Sequence, residues 1–296
     1  MSSNSKETGE MIVQWFPGHM AKTRRLIKES LSMVDAVAEI LDARIPLSSR
    51  NPEIEEITAG KPRIILLNKC DVADERATSL WIKYFESRGF TALPVDCRSG
   101  KGLNAFRPAV NKVLKEKIEQ NREKGMAGKS LRVMVVGIPN TGKSSFINKM
   151  AGKNRAQVAD KPGVTRHNQW FNIGSGIELL DTPGVLWPKF DDPKVGDRLA
   201  FIGSVKDTIL DSETLAVRLL DVLKSEYSGR LDERYKLKNI DYQSIDSFEL
   251  LEAIGRKRGM LISGGEIDTE RASVMLLDEY RAGRLGKITM EFPEKG

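Results

Sequence analysis

Cysteine, histidine and long apolar runs are scarce in this chain, and each scarcity removes a class of explanation. The two cysteines, Cys70 and Cys97, are too few for a disulfide framework, so a reducing cytoplasm is the expected setting. No apolar run approaches the length needed to cross a bilayer. The opening "MSSNSKETGE" has no apolar signal core, and its acidic residues argue against a mitochondrial transit peptide. With no lipidation motif visible either, stable membrane association is not expected. Aromatic residues do not interleave with the basic clusters, so no platform for stacking bases, and hence no sequence-specific RNA reading, is indicated. Internal repeats and low-complexity tracts are missing. Two histidines, His19 and His167, are the candidates for any histidine chemistry.

What is present describes a soluble globular protein. Forty per cent of 296 residues are apolar and 30% charged, enough for one large domain or two modest ones with a buried core. The formal net charge of +6 points weakly towards a polyanionic partner. Basic clusters at 22–28, at 112–129, at Arg256-Lys257-Arg258 and at Arg281, Arg284 and Lys287 are either phosphate-contacting faces or solvated ones.

Residues 1–13 read as a flexible tail. "GHMAKTRRLIKESLSMV" follows as an amphipathic helix, with Ile27, Leu31 and Val34 on one face. Three short apolar runs at 36–43, 63–68 and 91–96 are separated by helix-length sequence, the rhythm of parallel strands with crossover helices. Residues 106–125 read as one helix ending at Gly125; "LRVMVVG" is a further buried strand, and 169–181 a hairpin around Gly174-Ser175-Gly176. Beyond about residue 195 the pattern is helical only. Leu215, Leu219, Val222 and Leu223 form one apolar stripe; Phe248, Leu251 and Ile254 a second; Val274 and Leu277 begin a third. Asp211 and Asp268 are the expected N-caps of the first and third helices and Gly259 the stop of the second.

Chemistry concentrates in four stretches. "GIPNTGKS" (137–144) matches G-x-x-x-x-G-K-[ST], directly after a strand and opening a helix. Its backbone N–H groups, from Asn140, Thr141 and Gly142 through Ser145, are suited to converge on phosphates; Lys143 is suited to reach the β- and γ-phosphates, and the Ser144 hydroxyl to ligate Mg²⁺. Some 40 residues on, "DTPG" gives Asp181 for Mg²⁺, through water, and the Gly184 amide for the γ-phosphate. "NKCD" (68–71) selects the base. Asp71 can accept from guanine N1–H and N2–H₂, Asn68 can address the other edge, and the Lys69 stem can lie across the ring. Adenine offers no N1–H, and polar groups left unpaired in this way discriminate by roughly 10⁴–10⁵. "DCRSGKGL" (96–103) has the shape of a loop whose backbone meets guanine O6, which makes Cys97 and Arg98 guanine neighbours. A Cys70–Cys97 disulfide is conceivable if those loops meet, though the compartment argues against it. In the "PGVTRH" segment Thr165 would close on Mg²⁺ and the γ-phosphate.

The order is guanine reader, guanine-neighbour loop, phosphate loop, Thr165 segment, D-T-P-G; in guanine-nucleotide motif terms, G4-G5-G1-G2-G3. With "WFPGHMAKTRR", "DARIPLSSRNP" and "PGVTR", that order resembles the ribosome biogenesis GTPase A family of circularly permuted GTPases, from about Trp15 to Trp187 and more weakly beyond. The resemblance implies an α/β, circularly permuted Ras-like P-loop core over residues 14–195 and a small all-helical RNA-contacting domain over 196–296. It also implies GTP hydrolysis with Mg²⁺ and a role in assembling the large (50S) ribosomal subunit, with rRNA and ribosomal proteins as partners, cytoplasmic localisation and no DNA. Ras-type enzymes carry a glutamine soon after D-x-x-G; here Val185, Leu186 and Trp187 follow, and none can orient water. His19 matches the histidine of the family's Pro-Gly-His-Met motif and becomes the water-orienting candidate, with His167 second. A cap or surface role is the plainer reading of either. Related GTPases use an asparagine at the position of Asn140 to hold K⁺, in place of an arginine finger worth ~10³–10⁵ in rate; a turn-forming asparagine is the alternative. A GTP-dependent switch protein acting on another RNA or a membrane-associated partner is the rival function, and a GTP-dependent tRNA-modification enzyme a third.

Overall fold

In the computed structural model, residues 17–152, 169–205 and 211–294 are described, with 17–19 as backbone only. The sheet has six strands in the order β3-β2-β1-β4-β6-β5. These are β1 (Ala36–Asp42), β2 (Arg63–Asn68), β3 (Thr91–Pro94), β4 (Leu131–Val136), β5 (Gln169–Asn172) and β6 (Ile177–Asp181). All neighbours run parallel except β5, which pairs antiparallel with β6 through the hairpin. Because the central strands are buried on both faces, their apolar residues run on without a polar alternation, as the sequence suggested.

The helices of this half are α1 (Pro17–Ser30), α2 (Pro52–Ile57), α3 (Glu75–Ser87), α4 (Phe106–Val113), α5 (Lys115–Glu123) and α6 (Lys143–Ala151). Local chemistry sets their starts. Asn51 caps α2 ahead of Pro52, and the Asp74 carboxylate accepts from the Ala77 N–H at the head of α3. One face of β1 and β4 packs on α4 and α6 through Ala38, Ile40, Val133, Val135, Phe106 and Phe146. The other face, through Val37, Met134 and Val136, opens into a core shared with the second half of the chain.

That half is helical: α7 (Pro193–Phe201), α8 (Ser212–Glu226), α9 (Ser228–Tyr235), α10 (Ser247–Lys257) and α11 (Thr269–Arg281). Val185 and Leu186, just after D-T-P-G, lie in the same apolar cluster as Leu199, Leu219, Ile254 and Leu276, so no polar seam separates the two halves there. After α11 the chain returns to the sheet. The Ile288 N–H donates to the Val72 carbonyl (3.1 Å) and the Met290 N–H to the Arg44 carbonyl (2.8 Å), while the Trp81 indole N–H donates to the Glu291 carbonyl (2.9 Å). The buried Glu291 carboxylate accepts from the Leu47 and Ser48 N–H groups and pairs with Arg198.

Several expectations are corrected. The helix expected over 106–125 is two, bent at Leu114, whose buried side chain packs into the core while the backbone leaves helical dihedrals (φ −107°, ψ 17°). Phe248 and Val274, assigned to apolar stripes, are exposed. The buried faces of α10 and α11 run through Leu250, Leu251 and Ile254, and through Ala272, Leu276, Leu277 and Tyr280. Leu251, Ile254 and Leu277 are thus buried as the stripes expected, and each stripe overreaches only at its first residue. Asp211, Asp268 and Gly259 do cap or end their helices as expected. Cys70 and Cys97 are both free thiols.

Candidate functional site

Three neighbouring strands bring the motifs together at one edge of the sheet. β2 ends at Asn68, β1 at Asp42, in register with Asn68, and β4 runs into the phosphate loop. The carboxyl ends of parallel strands, where loops diverge, are where an open α/β sheet leaves a crevice.

Asn68 is buried and joins three loops. Its Nδ2 donates to the Thr141 carbonyl in the phosphate loop (2.7 Å), and its Oδ1 accepts from the Cys97 N–H (2.9 Å). The guanine-reader, guanine-neighbour and phosphate loops are thus tied by one amide although 73 residues separate Asn68 from Thr141. Lys69 follows in left-handed backbone (φ 61°), and its Nζ donates to the Asn140 carbonyl (2.9 Å). Asp71 lies beside Arg98, with 3.4 Å between carboxylate oxygen and guanidinium nitrogen. Cys97 contributes its backbone to this group; burial pushes its thiol up to about 12. The Asp96 carboxylate accepts from the Arg98 and Ser99 N–H groups, fixing the turn.

In the phosphate loop Gly142 sits at φ 101°, open only to glycine, and a Cβ there would overlap the Asn68 amide. α6 then opens at Lys143, whose Nζ folds back to donate to the Ile138 carbonyl (2.8 Å). Burial draws the Lys143 ammonium down to about 8 against the attraction of Asp181. Asp181 ends β6 and is buried; Thr182 donates its hydroxyl to the Val135 carbonyl (2.7 Å). A Cβ on Gly184 would stand 2.7 Å from Lys143 Nζ, so D-T-P-G lies directly against the phosphate loop. Ser144 and Ser145 are half-buried on the first turn of α6. Asn140 Nδ2 donates to the Gly203 carbonyl (2.5 Å) and the Ser204 hydroxyl to the Pro139 carbonyl (2.7 Å), so the loop is held from the helical half. His19 is the third residue of α1; Thr165 and His167 lie outside the described residues.

Comparison with known proteins supplies the family. The family model described as "50S ribosome-binding GTPase" matches residues 132–250, beginning at β4 and leaving Asn68–Asp71 ahead of the match. The ribosome biogenesis GTPase A of Bacillus cereus is 48% identical over 96% of this chain and 95% of its own, and that of Thermotoga maritima 32% identical over 95% of each. The chain belongs to the ribosome biogenesis GTPase A family. It is a GTP hydrolase with a circularly permuted core. The solved structure of GNP-bound YlqF from T. maritima matches with a TM-score of 0.62 at 29% identity, over 93% of this chain and all of that one. A GDP-bound YlqF structure matches equally, at 0.62 and 29%.

For a ribosome biogenesis GTPase A chain, some expected features are engaged otherwise. Arg281, grouped with candidate phosphate contacts, donates to the Ala200 and Phe201 carbonyls, and Arg258 pairs with Glu279, so both serve the helical packing. Asp42 and Arg44 entered the sequence reading only within "DARIPLSSRNP", with no role of their own. Their signal was an acidic residue closing an apolar strand with arginine two places on. Among the described residues no three His, Cys, Asp or Glu side chains gather as a metal site, and no helix is long and apolar enough to cross a membrane.

Proposed function

We propose that this GTPase is an assembly factor that docks on the immature large ribosomal subunit in its GTP state and leaves on hydrolysis, completing a late maturation step in the cytoplasm. The observation that carries the reading is the joining of the guanine-reader, guanine-neighbour and phosphate loops through Asn68, with D-T-P-G packed on Lys143. Asn68, Lys69 and Asp71 read guanine, with Cys97 and Arg98 beside it. Asn140 to Ser145 and Gly184 hold the phosphates. The oxygen donors Ser144, Thr165 and Asp181 suit a hard cation, so Mg²⁺ fits there, supplying charge neutralisation between the phosphates. Lys143 neutralises charge developing on the transferred group, Thr165 closes over it, and His19 orients the attacking water, with His167 as the second candidate. Asn140 is the residue proposed to hold K⁺; equal turnover in Na⁺ and K⁺ would remove that role.

The core is proposed to span residues 14–195 and the RNA-contacting helical domain 196–296, behind a tail of 1–13. Val185 and Leu186 leave D-T-P-G straight into the core shared with α7 to α11. Movement at the switch therefore reaches the helices without a long relay. rRNA contact is electrostatic, and its affinity falls steeply with salt.

GTP hydrolysis in K⁺ buffer, with and without large ribosomal subunits, tests the proposal beside His19→Ala. Stimulation lost in the variant supports both partner and catalytic assignment. Stimulation retained removes His19, and no stimulation by mature or immature subunits removes the ribosomal partner.

A further inference from the structure

The nucleotide motifs leave one buried ion group at the site unexplained. Asp42 closes β1 between the strands that carry the guanine reader and the phosphate loop, and it is wholly buried. Its Oδ1 accepts from Arg44 Nε (2.9 Å) and from the Arg44 N–H (3.1 Å). Its Oδ2 accepts from Arg44 Nη2 (2.8 Å) and pairs with Lys69 Nζ at 2.9 Å. The Lys69 ammonium is therefore held twice, by this carboxylate and by the Asn140 carbonyl of the phosphate loop. With both ends of the side chain fixed, its four-carbon stem is a set slab rather than a rotating one.

Arg44 reaches the other way. Its Nη1 donates to the Tyr280 carbonyl (3.1 Å) and to the Arg281 carbonyl (3.4 Å), and its guanidinium lies 5.0 Å from the centre of the Tyr280 ring. The last carbonyls of a helix lack intrahelical donors and carry its negative end, so a cation there caps α11. Burying such a group is seldom stabilising compared with apolar packing, which makes a placement role the better account of it.

We propose that Asp42 and Arg44 are positioning residues of the nucleotide site: they fix Lys69 across the purine and make its affinity depend on how α11 is seated. The inference rests on the reading of Asn68–Asp71 as the guanine reader. A stem laid across a ring touches its face and not its hydrogen-bonding edge, so the pair sets affinity for purine diphosphates without setting which purine is chosen. By linkage, nucleotide binding must tighten the Arg44 hold on α11 by the same factor.

Asp42→Asn alone leaves Arg44 an uncompensated buried cation and endangers folding, so the decisive variant is Asp42→Asn with Arg44→Met. Its melting temperature establishes that it folds, and affinities for GDP, IDP and XDP are measured by displacement of a fluorescent GDP. The expected result is a fall of about ten- to a hundredfold for all three, the worth of one charge-assisted hydrogen bond, with their ratios unchanged. GDP affinity within twofold of the parent overturns the inference, as does a changed ratio. Asp71→Asn in the otherwise unaltered chain is the separate control. Its amide offers a donor to the C2 carbonyl of xanthine, so preference moves from GDP to XDP, and retained preference for GDP removes the guanine-reader reading itself. Hydrogen exchange reads the coupling. GDP slows exchange at Ala282 and Gly283 in the parent and not in Arg44→Met; no slowing in the parent overturns the link to α11.

Discussion

Gly142→Ala should disable the guanine reader from within the phosphate loop. At φ 101° an alanine is strained by about 1–3 kcal/mol. The added methyl also occupies the place of the Asn68 amide nitrogen. Asn68 must then give up its bond to the Thr141 carbonyl and, on turning, its bond from the Cys97 N–H. In a buried site each loss costs on the order of 1 kcal/mol. Together these give roughly 3–5 kcal/mol, or about two to three and a half orders of magnitude in GDP affinity where the cost falls on the binding conformation. The assay is fluorescent-GDP titration with thermal melting alongside, which catches the share of the cost that falls on the fold. Gly152→Ala is the comparison, because Gly152 is also left-handed (φ 66°) but has open space around it; it should lose only about 1 kcal/mol of stability and no nucleotide affinity. If the clash is the cause, Asn68→Ala and Gly142→Ala together cost less than their sum, by about 1–2 kcal/mol. Strict additivity, or GDP affinity within threefold of the parent with an unchanged melting temperature, refutes the reasoning.

Three further outcomes follow from the site and its surroundings. Because burial holds Lys143 down to about 8, a phosphate bound there draws a proton onto it. GDP affinity is therefore flat below about pH 7.5 and falls as pH rises through 8, and calorimetry near pH 8.5 in buffers of different ionisation enthalpy reports proton uptake; proton-neutral binding contradicts it. Cys97, buried and with its thiol pushed up to about 12, should stay unmodified by iodoacetamide in the native protein near pH 8, and labelling as fast as in the denatured chain counts against the buried placement. Glu291→Ala strands the Leu47 and Ser48 N–H groups and Arg198, at a cost of about 2–4 kcal/mol, or roughly 5–10 °C in melting temperature; a shift under about 2 °C contradicts it.

The site was legible in the sequence where its chemistry is carried by a short contiguous stretch. Phosphate loops and N-K-x-D act through backbone geometry and side chains within a few residues, so "GIPNTGKS" and "NKCD" announce themselves. The parallel strands were readable for the same reason, since β1, β2 and β4 are near-continuous apolar runs, interrupted inside only by Glu39 and Arg132. What escaped depends on distant partners. Arg44 meets Tyr280 236 residues on, and nothing near Arg44 announces the carbonyl it will bond. α7 and α9 were not delimited, and Phe248 and Val274 were counted into the stripes of α10 and α11, because the shared core buries helix faces against both the sheet and one another and so blurs the amphipathic signal.

The return of residues 288–291 to the sheet has a consequence for the order in which the molecule can be made. The loop after β1 and the start of α3 stand beside the guanine reader, yet their bonding partners at Ile288, Met290 and Glu291 lie roughly 220 residues later in the chain. A ribosome adding about 5–20 residues per second delivers them roughly 10–45 seconds after Asp71. Through that interval the loops around the nascent guanine reader lack the bonds that buttress them in the finished chain. A chain that stops short of residue 288 lacks these bonds, and its guanine-reader loops are left without that brace.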